Sequence, residues 1–145
     1  MIYHQYPPNI DKIIEYFPDA KVKEVVFAYA PHIYAPRTMY LSDEIFCHER
    51  VHVAQQGDDP EAWWVRYFTD KEFRLQQEYE AHMAEYAILM GRARNRHERR
   101  AATVHVAKKL ASRLYGNMIT LKRAKEALTK GNLYEPVRED TPAVP

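Results

Sequence analysis

"SDEIFCHERVHVAQQG", Ser42 to Gly57, is the stretch on which the reading of the whole chain turns. Ser42 is a favoured N-cap residue, and Asp43 and Glu44 follow where carboxylates suit the positive end of a helix dipole. A helix over 42–56 therefore results, ended by the Gly57-Asp58-Asp59 run. Inside it His48, Glu49 and His52 stand in the order H-E-x-x-H. On a helix His48 and His52 project from one face, one turn apart, so both imidazoles can address one ion. Glu49 is turned about 100° around the axis. It is placed to reach a water beside such an ion rather than the ion itself. The plainer alternative is a core helix that happens to carry two histidines.

Working outward, the upstream segment "KVKEVVFAYAPHIYAPRTMYLS" is rich in β-branched and aromatic residues and is broken by Pro31 and Pro36. It predicts short strands near Lys23–Tyr29, His32–Tyr34 and Arg37–Leu41. The prolines belong on edges, so the sheet should be small. A short helix is expected before it, from the Asn9 cap to Pro18. Downstream, Asp59 followed by Pro60 starts a second helix, "DPEAWWVRYF". A long helix is predicted over Lys71–Arg92, another over Glu98–Tyr115 ending at Gly116, and a last one over Leu121–Lys130, capped by Thr120 and ended by Gly131. The expected fold class is α+β: a predominantly helical single domain with a small N-terminal sheet before the 42–56 helix. Residues 1–131 form that domain, and 132–145, holding three prolines, is expected to be a disordered tail.

The chain has 145 residues with 46% hydrophobic and 28% charged, which suits one globular domain with its own core. The formal net charge of +1 gives no general argument for a nucleic-acid partner. The one cysteine, Cys47, excludes an internal disulfide and favours a reducing compartment. It is turned away from the histidine face and reads as a small buried residue. No apolar run approaches the roughly 20 residues needed to span a bilayer, and no signal-peptide pattern opens the chain, so a cytoplasmic location is expected. The Arg-rich segment 92–109 reads as a solvated helix face rather than a nucleic-acid surface. Trp63, Trp64, Tyr67 and Phe68 read as a cover over the core.

Two imidazoles need a third protein ligand if they are to hold Zn²⁺ with a position left for water. The long helix supplies "EYEAHMAEY", with Glu78, Glu80, His82 and Glu85. Glu78 and His82 are four apart and share a face. Glu80 points nearly the opposite way, so only one of the two glutamates can face the first helix. Glu78 is the favoured third ligand, with Glu80 and His82 as alternatives. His82 would then sit one turn on, in position to hydrogen-bond a ligand. Tyr86 and Tyr115 are candidates to donate to a developing oxyanion.

"CHERVHVAQQ", followed some 25 residues on by "EYEAH", resembles the gluzincin pattern of HExxH zinc metallopeptidases. It is also similar to small metallopeptidase-like proteins of bacterial and phage genomes. In thermolysin-like and membrane-CAAX-peptidase-like members, two motif histidines and a glutamate from a later helix bind zinc, and an acidic residue follows that glutamate by four. The resemblance covers about Thr38–Ala87. It implies a minimal zincin-like fold, zinc at His48, His52 and Glu78, and Glu49 as the general base of peptide-bond hydrolysis. It sets His82 where an aspartate is usual. The implied partner is a peptide or protein substrate, lying along an edge strand at Arg37–Leu41, and the implied setting is a bacterial or phage protein, a virion component included. The rival expectations are a zinc-stabilised interaction protein without catalysis and a helical protein that uses 92–109 on nucleic acid.

Overall fold

The computed structural model describes residues 1–134. Its helices begin and end where local chemistry dictates. α1 (Ile10–Tyr16) stops before Pro18, which opens a 3-10 turn at Pro18–Lys21. α2 (Asp43–Gln56) follows Ser42, whose backbone is extended but whose hydroxyl makes no cap bond. In α3 (Pro60–Thr69) the Asp59 carboxylate accepts from Ala62 N at 3.0 Å. In α4 (Lys71–Arg92) Asp70 does the same for Phe73 N at 3.0 Å. Asn95 caps α5 (Arg96–Leu110), and Thr120 caps α6 (Leu121–Lys130), which ends at left-handed Gly131. Each such cap satisfies an N–H that the helix itself cannot. The expected single helix to Tyr115 is instead α5 followed by a 3-10 turn at Arg113–Tyr115.

Three short strands complete the α+β fold: β1 (Ile2–Tyr3), β2 (Phe27–Tyr29) and β3 (His32–Tyr34). Their order is β1-β3-β2, with β1 parallel and β2 antiparallel to β3. Two of these differ from expectation. β1 was not predicted, and the strand predicted over Lys23–Tyr29 is confined to its last three residues. The strand predicted at Arg37–Leu41 is absent, which also removes the substrate edge assigned to it. The reason lies in two side chains that occupy this segment's surroundings. Arg37 donates through Nη1 to Lys21 O and Val22 O, and His4 Nδ1 sits 3.1 Å from Ala35 O and 3.0 Å from Thr38 O. Thr38 O is taken by an imidazole rather than by a ladder.

Two apolar clusters flank the long helix pair α2–α4. One joins α4, α5 and α6 through Tyr79, Tyr86, Val106, Leu110 and Leu128, and it also buries Leu133. The other joins α1, the sheet and α3 through Ile13, Phe27, Tyr34, Trp63, Trp64 and Tyr67. Residues 135–145 of the expected tail lie outside the described residues. No helix among the described residues is long and apolar enough to cross a membrane.

Candidate metal centre

α2 buries the wrong residues for an ordinary core helix. Its four buried side chains are His48, Glu49, His52 and Gln56, all polar. Burial of ionisable groups is unfavourable unless each finds a partner, so the partners define the site.

Gln56 is structural. Its Oε1 accepts from Ala30 N at 2.6 Å and its Nε2 donates to Ala28 O at 2.9 Å, fastening the β2–β3 hairpin to α2. Trp64 Nε1 also donates to Ala28 O, so side chains cap this part of the β2 edge.

The two histidines meet Glu78, which α4 brings alongside. His48 Nε2 is 3.5 Å from Glu78 Oε1, and His52 Nε2 is 3.2 Å from Glu78 Oε2. One donor atom from each of the three residues lies within 4.8 Å of the others, as metal ligands must. The Nδ1 atoms are committed elsewhere. His48 Nδ1 pairs with Glu85 Oε1 at 3.1 Å, and His52 Nδ1 with Gln55 Oε1 at 2.8 Å. Gln55 donates in turn to Gln77 O and Glu80 Oε2, which fixes its oxygen toward His52. With both Nδ1 atoms so held, each Nε2 is turned toward Glu78. Outer partners of this kind orient metal-binding histidines.

Glu78 is 2% exposed. Its Oε2 accepts from the Tyr67 hydroxyl at 2.6 Å, whereas its Oε1 is buried and accepts no hydrogen bond. A buried carboxylate oxygen in this state, 3.5 Å from His48 Nε2, is one that a cation would satisfy. Two nitrogens and one carboxylate oxygen suit zinc, and the residues present therefore fit it. Burial alone would raise the Glu78 carboxyl, but His52 and His48 outweigh burial and hold it well below the usual carboxylate range. Burial likewise opposes the charge on His48, yet Glu78 and Glu85 push that imidazole up to about 10 without a metal. His52 is raised against its burial by Glu78.

Glu49 reaches the same side of the cluster, with Oε1 3.9 Å from His48 Nε2. It is buried, and burial raises its carboxyl despite the nearby histidines. Tyr115, from the 3-10 turn, lines the same space as the cluster, and its carbonyl is held by Arg74 Nε at 3.2 Å. Burial first, then Glu78, Glu49 and Glu85, keep its phenol protonated far above the ordinary range. Gly116 follows with φ of 94°, a left-handed conformation open to glycine.

The other sequence candidates fall in defined places. Glu80 is exposed and bonded to Gln55, so it does not join the histidine pair. His82 is fully buried, and its Nδ1 donates to Glu78 O at 2.6 Å, so it braces the backbone that carries Glu78. Burial, then His48, lowers it to about 3, and it is neutral. Tyr86, expected beside the site, instead pairs its hydroxyl with Thr103 at 2.9 Å inside the α4–α6 core. Cys47 is half-buried and outside the cluster. Arg92 and Arg94 of the basic segment pair with Asp43, Glu44 and Glu98.

Sequence reasoning gave no role to Glu85. It is fully buried, held by His48 and by Lys109 Nζ, and these outweigh burial to bring it down to about 2. With His48 and His82 it forms a second set of donor atoms within 4.8 Å. That set shares His48 with the first, and its carboxylate already has two cationic partners, so it reads as support for the first. The signal was present in the spacing: Glu78, His82 and Glu85 follow the i, i+4, i+7 stripe of one helix face.

Two depressions meet at the cluster. A cavity of about 60 Å³ lies inward, walled by α1, β2 and α3. A groove of about 420 Å³ runs outward between 23–26 and 38–42. His48, Glu49, Leu114 and Tyr115 line both. No protein-family model, curated protein or solved structure matches the chain.

Proposed function

We propose that the chain is a minimal zinc-dependent metallopeptidase of the gluzincin kind, in which His48, His52 and Glu78 hold Zn²⁺. One observation carries this reading. α2 spends its buried face on His48, Glu49 and His52, and both imidazoles meet the buried Glu78 carboxylate, whose Oε1 accepts no hydrogen bond. A merely structural helix has no use for that arrangement.

Zinc supplies Lewis acidity, which lowers the pKa of water and polarises a carbonyl. The remaining work falls to the chain's own residues. Glu49 is a buried carboxylate with a raised pKa next to His48, suited to take a proton from attacking water and pass it to the leaving amine. Tyr115 keeps its phenolic proton and lines both depressions, which supports it as the donor to a developing oxyanion. The groove gives an extended peptide access to Glu49. That access favours catalysis over a zinc site that serves structure alone.

The test is Glu49→Gln. The variant is expected to bind zinc as the parent does and to lose cleavage of an unstructured peptide library. Equal cleavage rates in the two proteins would remove Glu49 from its role.

A further inference from the structure

Arg74 is a buried cation without an anion. α4 carries it between the end of α3 and the turn at Arg113–Tyr115, where it is 9% exposed. Its Nη1 donates to Tyr67 O at 2.8 Å and to Phe68 O at 3.4 Å, and its Nε donates to Tyr115 O at 3.2 Å. Tethering of those three carbonyls explains Nε and Nη1. It does not explain Nη2, which has no hydrogen-bond partner among the described residues. Nor does any carboxylate among them pair with the guanidinium. Carbonyls hold such a group without neutralising it, and burying a charge in that state is unfavourable.

Nη2 lies against a cavity of about 190 Å³, separate from the two depressions at the metal cluster. The Pro18–Lys21 turn, the end of α3 and the Arg113–Tyr115 turn enclose it. Nη2 is 3.5 Å from the point that a Cβ on Gly116 would occupy, and Gly116 is part of the cavity wall. A second guanidinium, from Arg113, lines the same space, with its Nε 3.6 Å from Asp19 Oδ2. The lining thus holds two cations and one acid. The rest is apolar: the Tyr16 and Phe68 rings, stacked at 4.7 Å, with Phe17, Pro18 and Leu114.

The charge calls for an anion, and the walls decide its kind. A carboxylate has one oxygen for each guanidinium and carries no further charge. A phosphate dianion would press its remaining oxygens on aromatic walls and on Asp19. Roughly 150 Å³ of apolar cavity accepts a benzene ring. The present cavity exceeds that, so a ring or a branched chain fits behind the carboxylate. We infer that this cavity is a binding site for a carboxylate on an apolar body, the carboxylate held by Arg74 Nη2 and Arg113 and the body by the aromatic wall. The inference needs neither zinc nor catalysis.

The test is a titration of zinc-loaded protein with para-fluorophenylacetate, its neutral amide and inorganic phosphate, followed by fluorine line width and by protein amide shifts. The acid is expected to saturate at millimolar concentration and to move the Gly116 amide. The neutral amide and phosphate should bind about tenfold more weakly or worse. Arg113→Gln should weaken the acid about threefold, and Asp19→Asn, which removes the lining's own acid, should strengthen it by a similar factor. Arg74→Lys should abolish binding. Because that variant also loses carbonyl bonds, circular dichroism checks its fold, and if it is unfolded the Arg113 and Asp19 variants decide.

Chelated protein should bind the acid as the zinc-loaded protein does. Binding that requires zinc would place the carboxylate on the metal and overturn the inference, leaving the metal centre itself untouched. Equal binding of acid and neutral amide, tighter binding of phosphate, a Gly116 amide that does not move, or Arg113 and Asp19 variants that bind like the parent would overturn it too. A peptide ending in phenylalanine, with its end free or amidated, separates two sources of the carboxylate. Stronger binding of the free-ended peptide than of the small acid assigns the site to a chain end, the reverse assigns it to a small free acid, and either supports the site.

Discussion

His48 and Glu85 are joined Nδ1 to Oε1 across 3.1 Å in a fully buried contact, with Lys109 on the other carboxylate oxygen. The pair decides which nitrogen of His48 faces Glu78. A carboxylate held ionised by Lys109 accepts the Nδ1–H hydrogen bond and leaves Nε2 turned to the cluster. Glu85→Gln keeps the shape but weakens the acceptor. It should lower zinc affinity about 10- to 100-fold, the range for loss of an outer partner. Competition with a chromophoric chelator measures this, and an unchanged affinity would detach Glu85 from the site.

Metal uptake should release protons. Without metal, His48 titrates at about 10 rather than its ordinary 6.5, so at pH 7 the ring is protonated at both nitrogens. Zinc must displace the Nε2 proton. Its affinity is therefore expected to rise with pH until about 10, the folded-state value of His48. Calorimetry at pH 7 in buffers of different ionisation heat should show at least about one proton released per zinc.

The same shift predicts how the metal-free protein responds to alkali. A folded-state pKa above the unfolded one contributes stability that is fully present below about 6.5 and lost as pH rises through about 10. Thermal melts of chelated protein should thus fall in Tm across that interval. Zinc-loaded protein, whose His48 no longer carries the proton, should fall less.

Zinc should also stabilise the fold by mass action, by about 2.7 kcal/mol at a free concentration 100 times Kd. Glu78→Ala should abolish this gain. It should also leave the Tyr67 hydroxyl without its acceptor. Differential scanning calorimetry with and without chelator separates the two effects, since only the first depends on zinc.

Tyr115→Phe removes one hydroxyl from the site wall and leaves the Arg74 contact to its carbonyl intact. If the phenol stabilises an oxyanion, kcat should fall about 100-fold with KM little changed, the scale seen for loss of one such donor. A change confined to KM would make Tyr115 a binding residue only.

Much of the helical frame could be read from single residues. Asp59 with Pro60, Thr120 and Gly131 mark ends that the structure reproduces, because caps act within one turn and need no tertiary context. The strands were less legible for the opposite reason. β1 is two residues long and exists through its parallel pairing with β3 about thirty residues away, which leaves no local pattern. Arg37–Leu41 has the composition of a strand, yet His4 and Arg37 hold it otherwise. In the site, His48, Glu49 and His52 could be named from spacing, whereas Glu78 stood beside Glu80 and His82 until the packing of α4 on α2 set it against the two imidazoles. Glu85 was legible in principle, on the stripe of Glu78 and His82. The placement of Tyr115 was not, because it depends on where Arg74 reaches across from α4.

The central claim is that His48, His52 and Glu78 together hold one zinc ion. Elemental mass spectrometry of protein equilibrated with zinc and then gel-filtered measures it directly, on the parent and on His48→Ala, His52→Ala and Glu78→Ala. One zinc per chain in the parent and a large loss in each variant is the predicted result. A parent that retains no zinc, or variants that retain it at full stoichiometry, would contradict the account.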